Sequence, residues 1–183
     1  FNLLNQGLRV IAVGNSDRHH LYKQEVGNPR TFFYTKNDNP DEVTDLEVVK
    51  AFRSRRVFLS TGPIVETFIK NEDQLQPMGS TVSLTKNSTI TVRIRVQSAS
   101  WVEPEMVNVF VNGENKKVFY LSKKDEEFFY EMQSVHDFWI VAEVLGSKSL
   151  FPVVPPDEIP IILWDSVTRS LGGRLVKKLD KYK

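Results

Sequence analysis

The residues best suited to chemistry lie in one short segment, residues 14–20, with the sequence Gly-Asn-Ser-Asp-Arg-His-His. Asp17 and His19 are two positions apart, and in an extended backbone such side chains project to the same side. The apolar run at residues 8–13 precedes them and predicts a strand. A carboxylate and an imidazole at the end of a strand are suitable ligands for zinc, iron or manganese. The alternative interpretation is a polar loop in which Asp17 and His19 only cap and solvate the chain.

Three further sites carry polar or basic groups that need an interpretation. His20 points away from His19 in an extended backbone, so we predict that it orients the ligands without binding metal, or faces solvent. Arg30 could clamp an anionic substrate, because a guanidinium matches phosphate geometry, although a structural ion pair explains it equally well. The basic run at residues 53–56 is typical of a helix C-terminus, where cations are favourable.

The first third of the chain alternates strand and helix signals. Strands are predicted at residues 8–13, 31–35 and 57–61, and Gly62-Pro63 ends the last of them. Between them Thr44 and Glu47 form the pattern of a capping box, which predicts a helix reaching about residue 53. Its apolar residues, Leu46, Val49 and Phe52, share one face. Residues 1–63 therefore predict the edge of an α/β domain.

From residue 64 the helical period disappears and short strands follow one another. Strands are predicted at residues 64–70, 81–84, 89–97, 107–111, 117–121, 127–132 and 138–145. Asn112-Gly113 is a strong hairpin signal, and residues 89–96 alternate apolar and polar types as a half-buried strand does. Residues 64–150 therefore predict an all-β, immunoglobulin-like sandwich, followed at 151–183 by a Pro-rich closing segment and a basic tail.

Composition excludes several broad classes of function. The net charge of +1 gives no reason to expect nucleic acid or an anionic membrane as a partner. Apolar stretches are too short to predict a membrane span, and the chain has no Cys for a disulfide, a thiolate nucleophile or a thiolate zinc site. The opening residues 1–7 read as the end of a helix closed by Gly7, so we expect a fragment of a larger protein.

Several segments together resemble the polymerase-and-histidinol-phosphatase superfamily, and within it the carbaryl-hydrolase-like branch of metallo-dependent phosphoesterases. The resemblance rests on residues 12–19 (Ala-Val-Gly-Asn-Ser-Asp-Arg-His), 27–32 (Gly-Asn-Pro-Arg-Thr-Phe) and 57–63 (Val-Phe-Leu-Ser-Thr-Gly-Pro). Beyond residue 63 it is mainly an order of elements, with residues 139–146 and 160–165 similar to the family's late segments. It implies that residues 1–63 are the last strands and helix of a distorted β/α barrel.

The same resemblance implies that Asp17 and His19 are the final metal ligands of a hydrolase, with Arg30 near the substrate. The family's early His-x-His motif and other ligands are absent here, so we predict a chain that is not catalytically complete alone. The full protein would use zinc, manganese or iron on a small-molecule phosphoester. Two alternatives remain: a metal-dependent carbamate or amide hydrolase, and a non-catalytic β-sandwich that binds carbohydrate or protein. Exposed apolar faces in residues 1–63 would pack on the sandwich, on a second copy, or on an N-terminal part of the same protein.

Overall fold

The computed structural model describes residues 1–16, 28–36, 39–71, 74–85, 88–133 and 136–148, and antiparallel β-structure dominates them. Their helices are α1 (Asn2–Asn5), a 3₁₀ turn (Pro40–Glu42) and α2 (Asp45–Arg53). Their strands are β1 (Arg30–Phe33), β2 (Val57–Ser60), β3 (Ile64–Asn71), β4 (Gln74–Pro77), β5 (Thr89–Gln97), β6 (Glu103–Val111), β7 (Glu114–Tyr120), β8 (Asp125–Gln133) and β9 (Ile140–Lys148).

Seven of these strands form two sheets that pack face to face. One sheet has the order β4-β3-β5-β8 and the other the order β7-β6-β9, and every neighbouring pair is antiparallel. The core between them is built from alternate residues of β5 and β6 with Phe128 of β8. Phe119 of β7 stacks on Phe128, with ring centroids 5.0 Å apart, so aromatic contact joins the two sheets directly.

Strand β5 shows why this sequence forms a half-buried strand. Its buried residues alternate strictly with half-exposed ones, as a pleated backbone with one face on the core requires. The buried set is at most 1% exposed and consists of Ile90, Val92, Ile94 and Val96. Burying each such side chain contributes about 1.5–3 kcal/mol, so this one strand supplies a large share of the core. On the opposite face Arg95 forms a two-pronged ion pair with Asp125, at 2.9 and 2.7 Å.

The segment before β3 forms a small unit of its own against the end of the four-stranded sheet. Strands β1 and β2 pair antiparallel, and the 3₁₀ turn and α2 connect them. Helix α2 begins with a complete capping box, in which Thr44 and Glu47 each bond the other's backbone N–H. Phe32 and Phe58 stack across the two strands with centroids 5.0 Å apart. Tyr34 donates a hydrogen bond to the carbonyl oxygen of Val65, which ties this unit to β3.

The predicted fold class was wrong. In the described ranges the chain is mostly β-sheet, with nine strands in three antiparallel sheets and two short α-helices. A remnant of a β/α barrel would need parallel strands joined by a crossover helix. Instead, β1 returns through α2 to β2 as an antiparallel pair, so the helix connects two strands that run in opposite directions. We predicted an α/β remnant followed by an immunoglobulin-like sandwich. The described residues instead form a mostly antiparallel, all-β architecture.

Two predicted strands are also absent. Residues 8–13 and 81–84 are irregular, while β4 forms where no strand was predicted. Residues 8–13 are rich in strand-forming types but have no neighbouring strand to pair with in the described part of the chain. Leu8 and Val10 remain about half exposed. A strand is stabilised by its ladder partner, so apolar composition without such a partner does not produce one.

Helix α1 closes as the sequence predicted. Gly7 has a φ of 79°. Its N–H donates a hydrogen bond to the carbonyl oxygen of Leu4, and the N–H of Leu8 donates one to the carbonyl oxygen of Leu3, which together form a Schellman motif. Phe1 packs on Phe110 of β6 with ring centroids 5.0 Å apart. The helix therefore lies on the outer face of the three-stranded sheet.

Candidate functional site

The predicted ligands Asp17 and His19, and the neighbouring His20, lie outside the described residues. The structure does describe the two segments that flank them, residues 8–16 and 28–36. The site can therefore be built from the backbone that leads into the predicted ligand segment and the backbone that leads out of it.

Thr31 joins these two flanking segments. Its Oγ1 accepts a hydrogen bond of 2.9 Å from the N–H of Gly14 and donates one of 2.9 Å to the carbonyl oxygen of the same residue. One hydroxyl thus satisfies both backbone groups of a glycine 17 positions earlier, in a partly buried setting. We call this contact the Gly14–Thr31 clasp. It holds the start of the Gly-x-Ser-Asp-x-His motif beside the Pro-Arg-Thr motif.

Little space is left for a side chain at position 14. A Cβ placed on Gly14 would lie 3.2 Å from Cβ of Pro29 and 3.4 Å from Cβ of Leu59. The first distance is shorter than ordinary carbon–carbon contact and the second is at its lower limit, so a side chain at position 14 would need Pro29 to shift by a few tenths of an ångström. The Asn28-Pro29 peptide bond in this segment is cis. The motif glycine therefore has a packing role that is visible in the structure.

Arg30, the predicted substrate-binding residue, is the first residue of β1 and pairs with Ser60 of β2. Ser60 is buried, and its hydroxyl donates to the carbonyl oxygen of Pro63 at 2.7 Å while accepting from the N–H of Gly62 at 2.9 Å. The Gly62-Pro63 turn is thus held by a hydroxyl of the strand that precedes it. Arg30 is half-buried and lies one residue from the clasp, at the exit of the predicted ligand segment.

No cluster of three or more His, Cys, Asp or Glu side chains suited to a metal ion occurs within the described ranges. The donor types at positions 17 and 19 fit zinc or manganese chemically, but two protein ligands are fewer than the three that catalytic metal sites normally use. His136, the remaining histidine, is exposed and lies between β8 and β9, far along the chain from the motif. The proposed metal therefore needs further ligands beyond Asp17 and His19.

The junction between α2 and the four-stranded sheet was not predicted. Arg55 follows α2 with a φ of 59°, which side-chain-bearing residues rarely adopt, and its Nε donates to the carbonyl oxygen of Gly79 at 3.2 Å. A Cβ on Gly79 would lie 2.5 Å from the carbonyl oxygen of Arg55 and closer still to that of Ser54. The basic run at 53–56 signalled only a helix end. The hydrogen bond from Arg55 to Gly79 joins residues 24 positions apart, so no local sequence pattern reveals it.

Comparison of the chain with protein-family models, with curated proteins and with solved structures found no match. Among the helices of the described residues, none has the length and apolar character needed to cross a membrane. The candidate site is therefore interpreted from its own residues and contacts.

Proposed function

We propose that this chain is the C-terminal part of a metal-dependent hydrolase, in which Asp17 and His19 are two of the metal ligands. The motif resemblance and the ligand chemistry of a carboxylate next to an imidazole support this proposal. The metal would be zinc, manganese or iron, and the substrate a small phosphoester. The remaining ligands would come from a part of the protein outside residues 1–183.

The observation that carries the proposal is the Gly14–Thr31 clasp. Without it, Gly14 and Thr31 would be free to separate, since the chain between them is long enough to reach far across the surface. With it, Gly14 is held at Thr31. Asp17 follows Gly14 by three positions in the sequence, and Arg30 directly precedes Thr31. The clasp therefore fixes the chain at Gly14, three positions before Asp17, next to the strand that carries Arg30.

Each group has a separate task in this proposal. Asp17 and His19 would hold the metal, which when bound supplies a Lewis acid that polarises the substrate and lowers the pKa of water. Arg30 would bind an anionic oxygen of the substrate, because its planar fork matches phosphate geometry. This assignment favours a phosphoester over a neutral carbamate or amide. His20 would orient the ligand segment without contacting the metal.

Calorimetric titration of the chain with zinc tests the ligand assignment. We expect one weak site, because only two protein ligands are available, and we expect Asp17→Asn and His19→Gln each to abolish the measured heat. His20→Gln is the matched control, since it removes an imidazole one position away and should leave binding unchanged. His136→Gln serves as a second control at a distant histidine.

Two results would overturn the proposal. One is zinc binding that survives both Asp17→Asn and His19→Gln. The other is binding that His136→Gln alone removes. Hydrolysis provides an independent check: the isolated chain should turn over nitrophenyl phosphate with added manganese far more slowly than about 1 per second, a rate typical of complete enzymes.

A further inference from the structure

A cavity of about 150 Å³ lies where the β1–β2 unit meets the four-stranded sheet. Its walls come from four separate parts of the chain, so it exists only in the folded protein. Tyr34 follows β1, Arg56 precedes β2, Phe68 belongs to β3, and Pro77 and Met78 lie at the end of β4. None of these residues belongs to the Asp17 and His19 segment or to the Gly14–Thr31 clasp.

Arg56 supplies the charge of this cavity. Arg56 is an exposed residue and the sole one with an ionised side chain among the described residues that line the cavity, and its guanidinium has no hydrogen bond or ion pair with any other described residue. A guanidinium carries five N–H donors in a fixed fork, so here all of them remain available. The lining of the cavity therefore includes an exposed cation that no described side chain neutralises.

The other walls are apolar or neutral. Phe68, Pro77 and Met78 supply hydrocarbon and thioether surface. Arg93 lies over the ring of Phe68 at 5.7 Å and pairs with Glu127, which restrains the ring. Tyr34 donates its hydroxyl hydrogen to the carbonyl oxygen of Val65, and burial together with the charge of Glu66 raises its pKa to about 12. Tyr34 thus stays neutral at physiological pH and adds no negative charge.

The backbone that presents Arg56 is held under strain. Arg55 has a φ of 59°, a conformation that residues with a side chain rarely adopt. The contact of Arg55 with Gly79 maintains it, and Gly79 packs against the carbonyl groups of Ser54 and Arg55, just after α2, where no side chain would fit. Strained residues that the surrounding structure fixes are common at ligand sites. Here the strain sets the direction in which the chain leaves α2 and enters the cavity wall.

We propose that this cavity binds a small carboxylate with a flat apolar body, of the size of benzoate. A cavity of this volume accommodates about one aromatic ring. The free guanidinium of Arg56 would take the carboxylate through two parallel hydrogen bonds. Phe68 and Met78 would contact the ring, since aromatic and thioether groups pack well against aromatic faces. This binding site shares no residue with the proposed metal site and stands without it.

Titration of the whole chain with benzoate, followed by amide NMR, tests the proposal. We expect the largest shifts at Tyr34, Thr67 and Met78, which line the cavity. Arg56→Gln should weaken binding about tenfold, because it removes a charged hydrogen-bonding partner of the carboxylate. Arg53→Gln is the matched control, as it removes an exposed Arg of α2 outside the cavity and should leave the affinity unchanged.

Further ligands and a second variant make the outcomes decisive. Benzyl alcohol has the ring without the charge and inorganic phosphate has the charge without the ring, so both should bind more weakly than benzoate. Arg56→Lys keeps the charge but loses the fork and should bind with intermediate affinity. The proposal is overturned if benzoate shifts residues elsewhere, if folded Arg56→Gln or Arg56→Lys binds as the natural sequence does, or if either partial ligand binds as tightly as benzoate.

Discussion

Thr31→Val removes the Gly14–Thr31 clasp while keeping the shape of the side chain. The natural hydroxyl makes two hydrogen bonds of 2.9 Å with the backbone of Gly14 in a partly buried position. Each such bond contributes about 0.5–1.5 kcal/mol net, so their loss should lower the free energy of unfolding by about 1–3 kcal/mol. The loss of stability should lie toward the upper end of this range, because Val leaves both backbone groups of Gly14 facing a methyl group.

Urea unfolding of the natural chain and of Thr31→Val measures this difference, and amide hydrogen exchange at Gly14 locates it. Thr31→Ser is the matched control: it retains the hydroxyl, so Gly14 should remain protected even though one methyl group is lost. If the Gly14 amide of the natural chain exchanges as fast as an unstructured peptide, the clasp does not exist. If Thr31→Val unfolds at the same urea concentration as Thr31→Ser, the clasp contributes nothing to stability.

Three further changes test other parts of the structure. Gly79→Ala should lower the free energy of unfolding, measured in urea, by about 2–5 kcal/mol, because strain at a φ of 84° adds to overlap with backbone oxygens. Gly7→Ala is the comparison: Gly7 has a φ of 79° but open space around it, so the loss should be only about 1–2 kcal/mol. Thr44→Ala should cost about 1 kcal/mol by the same measurement, through loss of the capping box of α2; a stability equal to that of the natural chain would contradict the box. Hydrogen bonds from Arg95 and Gln97 lower the pKa of Asp125 from its ordinary value of 3.8. The ionised Asp125 therefore stabilises the fold above pH 3.8, and this stabilisation is lost as the pH falls through the lowered pKa. The difference in melting temperature between the natural chain and Asp125→Asn should therefore be largest near neutral pH and shrink in acid; a constant difference would contradict the assignment.

Local features of the fold could be predicted from the sequence because neighbouring residues decide them. The Thr44 and Glu47 capping box involves one turn of helix, and the structure confirms it. Asn112 and Gly113 both have positive φ, at 51° and 89°, as a tight turn between β6 and β7 requires. The alternation of residues 89–96 was also confirmed in β5. Each of these signals depends on residues a few positions apart.

Pairing and burial depend on distant residues, so local patterns do not determine them. Leu46, Val49 and Phe52 were predicted to share one face of α2, but that prediction did not say how far the face is covered: Leu46 and Val49 are 60% and 44% exposed, and Ala51 is the buried residue of the helix. Periodicity identifies an apolar face but does not say whether a neighbouring element covers it. The fold-class prediction was wrong for a related reason, since strand and helix signals in succession do not determine whether β1 and β2 run parallel or antiparallel.

The candidate site also has features that the sequence could suggest and features that it could not. The types of Asp17, His19 and Arg30 suggest metal and anion binding, and their roles remain predictions. The clasp could not be predicted, because any of several Ser and Thr hydroxyls could have bonded Gly14. The cavity at Arg56 was missed since its walls come from four segments, which only the tertiary fold brings together.

Manganese-induced broadening of amide NMR signals tests the central claim most directly. A paramagnetic ion held by Asp17 and His19 should broaden residues 14–20 most strongly, and then Thr31, which the clasp holds against Gly14. Asp17→Asn combined with His19→Gln should remove this pattern, and His20→Gln should retain it. The claim would be contradicted by broadening centred on another part of the chain, or by broadening of residues 14–20 that persists in the double variant.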